Sequence, residues 1–199
     1  MSFRKERKYQ LSFSDQKLLK KNLLSKGMKE LYPSRKINSC YFDNVILTMF
    51  HDSEEGVLPR KKIRVRWYDQ ENKSKLETKI SSIEGRFKTS KIFDKFDLIR
   101  QNYNIYLIDK VYGKIKPSLI VSYDREYYVL NSLRLTFDYN IEYTDLRLLL
   151  QKKYNDNNCV TEVKTNIDIP DDFIEKIIEH PTSRFSKYSR GLLIADKQI

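Results

Sequence analysis

The sequence predicts an α+β fold in which a large, mainly antiparallel sheet or barrel dominates. Three observations carry this. Most candidate strands alternate charged and apolar residues with period two. Short connections join them, which suits antiparallel pairing. About seven or eight such strands stand against only three helical patterns.

The strands come in order. In "ERKYQLSF", Glu6, Lys8, Gln10 and Ser12 share one face against Arg7, Tyr9, Leu11 and Phe13. "INSCYFD" sets Ile37, Ser39 and Tyr41 against Asn38, Cys40 and Phe42. In "RKKIRVRWYD", Lys62, Arg64 and Arg66 oppose Ile63, Val65 and Trp67. "KLETKIS" opposes Lys75, Glu77 and Lys79 to Leu76, Thr78 and Ile80. In "SLIVSYDREYY" the alternation is weaker, with Tyr123 and Arg125 sharing a face with Leu119 and Val121. "LRLTFDY" sets Arg134, Thr136 and Asp138 against Leu133, Leu135 and Phe137. "VTEVKT" places Glu162 and Lys164 opposite Thr161 and Val163.

Three segments read as helices. "SDQKLLKKNLLSKG" has Ser14 as N-cap, Leu18, Leu19 and Leu23 at helical spacing, and Gly27 as a stop. "SKIFDKFDLIRQ" puts Ile92, Phe93, Phe96 and Ile99 on one stripe. "IPDDFIEKIIEH" opens with Pro170 and acidic residues, which suit a helix N-terminus. Segment 142–154 fits a strand or a helix equally well.

Composition bounds the function. The 199 residues suffice for one domain, 1–199, and a 40% apolar share argues against disorder. Lys and Arg outnumber Asp and Glu by 38 to 27, a net charge of +11, which calls for an anionic partner. Cys40 and Cys159 lack metal-ligand spacing, and His51 and His180 form no metal motif. No secretory signal is visible, so a cytoplasmic location is expected. No apolar run approaches the length that spans a bilayer, although the chain could dock on a separate membrane protein.

Two arrangements accommodate the charged face. In one, the apolar face is core and the charges are solvated. In the other, the sheet closes into a barrel with the polar face inward and the helices outside. A lumen rich in Arg and Lys then requires an anion, and arginine forks suit phosphate oxygens.

Eight short motifs occur in order: "ERKY" (6–9), "SCYFD" (39–43), "KIRVRWY" (62–68), "LETK" (76–79), "VSYDREYY" (121–128), "LRLTFD" (133–138), "TEVK" (161–164) and "SKYSRG" (186–191). This order resembles the VTC domain, the catalytic domain of the vacuolar transporter chaperone complex and its bacterial relatives. That family lies within the CYTH-like triphosphate tunnel metalloenzymes. The resemblance covers about residue 4 to residue 192.

The resemblance implies a closed eight-stranded antiparallel β-barrel, the triphosphate tunnel, with a polar, basic lumen and covering helices. It implies an ATP-dependent polyphosphate polymerase using Mn²⁺ or Mg²⁺. Its catalytic residues would be Arg64, Arg66, Arg125, Arg134, Glu162 and Lys187. Lys8, Lys79, Lys88, Tyr123 and Ser186 would bind phosphate, and Glu162, Glu6 and Glu77 would serve the metal. ATP and inorganic polyphosphate or triphosphate would be its partners, and no nucleic acid is expected. One departure matters. Hydrolases of the superfamily carry an E-x-E-x-K strand, whereas this chain reads "ERK", with Glu6 and Lys8 only. The departure favours the polymerase branch over a tripolyphosphatase or nucleoside triphosphatase. A non-catalytic polyphosphate-binding module is the third reading. Nothing here reads as the regulatory SPX domain or the membrane helices of the eukaryotic subunits, so regulation is expected from another protein.

Overall fold

The structure, a computed structural model, describes residues 4–69, 71, 73–94, 103–148 and 150–199. Its elements are β1 (Arg4–Ser12), α1 (Phe13–Ser25), β2 (Lys29–Asp43), α2 (Thr48–Glu55), β3 (Arg60–Tyr68), β4 (Ser74–Ser82), β5 (Gly85–Ile92), β6 (Leu107–Asp109), β7 (Gly113–Leu130), β8 (Leu133–Asp145), β9 (Lys152–Asn155), β10 (Asn158–Asn166), α3 (Asp171–Ile177) and α4 (Lys187–Ala195). The class is α+β, as the alternation predicts. The main hydrogen-bonded path holds eight strands, in the order β1-β10-β8-β7-β2-β3-β4-β5, with β6 on β7 and β9 on β8. The path ends at β1 and β5, and among the described residues no pairing joins these two strands. No described helix is long and apolar enough to cross a membrane.

The chain forms two compact units. The first comprises Met1–Lys36, Tyr123–Ile141 and Asn155–Phe185; the second comprises Ile37–Ser122, Glu142–Tyr154 and Ser186–Ile199. Each has its own core on the apolar face of its strands. In the first, Tyr9, Leu11, Leu135, Phe137 and Val163 pack with Leu19 and Leu23 of α1 and Ile174 of α3. In the second, Cys40, Phe42, Ile63 and Val65 pack with Met49 of α2 and Ile115 and Ile120 of β7, with Trp67 at the margin. Apolar area removed from water holds both layers together.

Several element boundaries differ from expectation. The N-cap of α1 is Ser12, not Ser14: its hydroxyl accepts from the Asp15 amide at 3.1 Å. Gly27, at φ +92°, supplies the left-handed stop. Ser90 to Ile92 continue β5 and do not open a helix, because β5 pairs with β4 as far as Ile92 opposite Lys75. The rest of that stripe, from 95 onward, lies outside the described residues. The ambiguous segment 142–154 divides into the end of β8 and the start of β9.

Helix α2 has no counterpart in the sequence reading. Its first turn is capped from a distance. The Asp43 carboxylate accepts from the amides of Asn44 (2.8 Å), Met49 (3.0 Å) and Phe50 (3.0 Å), while Asn44 Oδ1 accepts from the Thr48 amide (2.9 Å). Burial pushes the Asp43 carboxyl up, against these hydrogen bonds and that from Tyr188.

Candidate functional site

Strand register assembles a charged face in each unit, opposite the apolar core. In the first unit, Glu6 of β1 lies opposite Lys164 of β10, which lies opposite Arg134 of β8. One step along, Lys8 lies opposite Glu162, and Glu162 opposite Thr136. Lys8 Nζ donates to the Phe185 carbonyl at 2.9 Å and lies 3.4 Å from Glu6 Oε1. Arg125 of β7 grips Asp138 with Nε (2.5 Å) and Nη2 (2.6 Å), lies over the Tyr123 ring (5.2 Å), and holds Nη2 3.8 Å from Glu162 Oε2. Asp138 is fully buried, so this acid orients the arginine.

Glu162 is buried, and its Oε1 accepts from Lys164 Nζ at 2.8 Å. Burial opposes its ionisation, yet the charges of Lys164, Arg125 and Lys8 hold its carboxyl well below the usual carboxylate range. Arg134 is exposed.

In the second unit, the middle row of the face reads Tyr41, Arg64, Glu77, Ser90 across β2, β3, β4 and β5. Arg64 donates from Nε (2.8 Å) and Nη2 (2.6 Å) to Glu77 Oε2, and from Nη1 (2.9 Å) to Tyr41 Oη. Lys88 holds the other oxygen of Glu77. Arg66 donates to Ser39 Oγ at 3.2 Å and lies 4.0 Å from Glu77. Burial would raise the Glu77 carboxyl, but Arg64 and Arg66 prevail and bring it down to about 2. Tyr41 follows the same logic. Burial raises its phenol, while Arg64, Arg66 and Lys79 lower it to about 7.

The next row holds three lysines abreast: Lys62 opposite Lys79, and Lys79 opposite Lys88. Like charges directly opposite on a sheet repel. Helix α4 caps this side of the unit. Its Tyr188 ring stacks on Tyr41 (4.9 Å, 15°), and the Tyr188 hydroxyl donates to Asp43 Oδ2 at 2.8 Å. Ser186, its N-cap, accepts from the Ser189 amide (3.3 Å) and from Lys62 Nζ (2.8 Å). Lys187 opens the helix at this end.

Of the residues named from the sequence, Glu6, Lys8, Tyr123, Arg125, Arg134 and Glu162 fall on the first unit, and Arg64, Arg66, Glu77, Lys79, Lys88, Ser186 and Lys187 on the second. Tyr41, Ser39 and Lys62 join the second face without having been singled out. The alternation of "INSCYFD" contained that signal, since it puts Ser39 and Tyr41 on one face.

Among the described residues, no three His, Cys, Asp or Glu side chains are arranged to hold a metal by themselves. Both oxygens of Glu77 are engaged by Arg64 and Lys88, which suits a countercharge better than a ligand. Glu162 is likewise engaged, by Lys164 at 2.8 Å and with Arg125 at 3.8 Å, while Glu6 lies 3.4 Å from Lys8; a hard cation that takes one or two carboxylates could use them only with phosphate oxygens completing its shell.

The profile of the VTC domain matches residues 3–195. The chain belongs to the VTC domain family. No curated protein matches it. Solved structures with a similar fold include a candidate adenylate cyclase from Bacillus halodurans, with TM-score 0.60 and 12% identity over 91% of this chain and 92% of that one. The PH1012 protein of Pyrococcus horikoshii OT3 has TM-score 0.57 and 13% identity, over 94% and 98%. A candidate adenylyl cyclase from Hippeastrum, described as having a dominant triphosphatase activity, has TM-score 0.52 and 15% identity, over 98% and 96%. At these identities the likeness is one of fold alone.

Proposed function

We propose that this VTC domain is a phosphotransferase that passes the γ-phosphate of ATP to the end of a growing inorganic polyphosphate chain. The in-register alignment of like charges carries the reading: Lys62, Lys79 and Lys88 abreast in one unit, and Arg134 opposite Lys164 in the other. Glu77 and Glu162 counter part of this charge, at Lys88 and Lys164, and a dense anion would compensate it further. Condensed phosphate supplies that charge with oxygens matched to arginine forks.

The chemistry asks little of the protein beyond placement. The attacking oxygen of a terminal phosphate is already anionic, so no strong general base is needed. Catalysis is then positioning and charge neutralisation. Arg64 and Arg66 in the second unit, and Arg125 and Arg134 in the first, offer guanidinium groups to phosphate oxygens. Lys79, Lys88 and Lys187 in the second unit, and Lys8 in the first, add point charges for phosphate. Tyr123 and Ser186 add hydroxyl donors. Bound Mn²⁺ or Mg²⁺ would supply further neutralisation of phosphate oxygens, with Glu162 and Glu6 as its ligands.

A second reading, hydrolysis of triphosphate, is favoured by the triphosphatase activity ascribed to the Hippeastrum protein. Strand β1 speaks for transfer, since Glu6 is its only carboxylate. The test is turnover by the purified chain with ATP and Mn²⁺ or Mg²⁺. Transfer yields ADP and inorganic polyphosphate in step. Release of orthophosphate alone assigns the hydrolase, and neither product assigns a binding module.

A further inference from the structure

A recess of about 200 Å³ lies in the first unit, between α1 and the paired strands β7 and β8. The scheme above makes no use of it. Helix α1 contributes Phe13, Gln16, Lys17 and Lys20, and the strands contribute Glu126, Phe137 and Tyr139. The recess opens on the apolar side of the sheet. Phe137 and Tyr139 alternate with Asp138, and Glu126 follows Arg125, so their side chains leave the strands away from the Arg125–Asp138 pair. Phe137 also belongs to the core of this unit. The recess is therefore separate from the charged face.

Its lining combines rings, a cation and an open acceptor. Phe13 is 47% exposed, although it is a large apolar side chain in the first turn of α1. Lys17 Nζ sits over the Phe13 ring, 4.4 Å from its centre. Lys20 Nζ is neutralised by Glu126 Oε2 at 2.6 Å and lies 5.1 Å from the centre of the Tyr128 ring. Lys17 has no such carboxylate among the described residues. Gln16 is only 5% exposed, and its Nε2 donates to the Asp138 carbonyl and the Thr161 hydroxyl, both at 3.3 Å. Among the described residues nothing donates to its Oε1, and that oxygen is not sealed in the core. A buried amide with an open acceptor calls for a donor.

Each feature narrows the ligand. Aromatic walls take a flat ring. The open Gln16 oxygen takes an N–H carried by that ring. The exposed Lys17 ammonium takes an anion at the mouth. The volume falls below the roughly 300–1,000 Å³ of sites that enclose a drug-sized ligand, so one ring system enters and the rest of the ligand stays outside. We propose that the recess binds an aminopurine nucleoside monophosphate, with the base against Phe13 and Tyr139, its amine donating to Gln16 Oε1, and the phosphate at Lys17. This site lies outside the phosphate-binding face and does not rest on the phosphotransfer reading.

The test is calorimetric binding of AMP, adenosine and purine riboside 5′-monophosphate to the full chain in EDTA, with excess tripolyphosphate present to fill the charged faces. AMP is expected to bind under these conditions. The riboside monophosphate, which lacks the amine, binds about fivefold more weakly, the loss of one hydrogen bond. Phe13→Ala weakens AMP and adenosine alike, about tenfold, and Phe13 is exposed enough that the fold tolerates the change. Lys17→Gln weakens AMP about threefold and leaves adenosine unchanged, since only AMP carries the phosphate. If Phe13→Ala melts early, the comparison of the three ligands on the wild type still decides. AMP that fails to bind, or that tripolyphosphate displaces, overturns the site. Equal affinity for AMP and the analogue without the amine overturns the role of Gln16 and the aminopurine assignment with it.

Discussion

At the scale of single residues, Glu77 shows how a basic face is kept folded without its ligand. Its buried carboxylate is the acid on which Arg64, Arg66 and Lys88 converge. Its carboxyl sits at about 2 where 4.5 is ordinary. A depressed acid stabilises the fold above its unfolded value and loses that contribution as pH falls through its folded one. Glu77 therefore contributes fully above about pH 4.5 and loses its contribution toward pH 2, with roughly 3 kcal/mol at stake. Urea unfolding of wild type and Glu77→Gln checks this. The wild type is more stable at pH 6, and the gap narrows steadily below pH 4.5. A gap independent of pH would refute the assignment. The same geometry makes Arg66→Ala a cleaner probe of phosphate binding than Arg64→Ala. Removing Arg64 strips Glu77 of two hydrogen bonds, whereas Arg66 stands 4.0 Å away.

At the scale of elements, α4 places Ser186 and Lys187, and its own seat depends on Gly191. A Cβ there would lie 2.4 Å from Cδ1 of Tyr143 and 2.6 Å from Cδ2 of Leu119, closer than carbon atoms approach. Gly191→Ala must push the helix off β7 and β8, at about 1–3 kcal/mol for overpacking. Chemical denaturation should show that loss, together with weaker tripolyphosphate binding by the folded protein, since Ser186 and Lys187 move with the helix. Unchanged stability would mean that the helix is not seated this way.

The same element marks how far the sequence could be read. Alternation marks the charged faces because a strand separates its two sides by parity alone, and the register pairs Arg64 with Glu77 on one of them. The order of strands in the sheet was not legible, and it decides that Glu77 meets Arg64 and Lys88 while Glu162 meets Arg125. Helix α2 escaped because its cap, Asp43, precedes it by several residues and its apolar periodicity is short. Tyr41 escaped because, although alternation puts it opposite Cys40 and Phe42, an uncharged aromatic does not mark a charged face. Only the partner strand shows that its hydroxyl turns toward Arg64.

At the scale of the molecule, a net charge of +11 sits on a fold whose two cores each back a charged sheet face. Self-repulsion of that size lowers the stability of the empty protein. A ligand that binds only the folded state raises stability by an amount set by its concentration over its dissociation constant, about 2.7 kcal/mol at a hundredfold excess. Ions that merely screen act on all charges and saturate with ionic strength. Tripolyphosphate in EDTA should therefore raise the melting temperature at micromolar concentration, where chloride and sulfate of equal ionic strength do nothing measurable. The rise should continue with the logarithm of tripolyphosphate concentration. Arg66→Ala should shift that curve to higher concentration and leave the ligand-free melting temperature nearly unchanged, because Arg66 lies at the edge of the Glu77 cluster. If sulfate at matched ionic strength reproduced the tripolyphosphate curve, the faces would be general cation surfaces, and the in-register lysines would need another explanation.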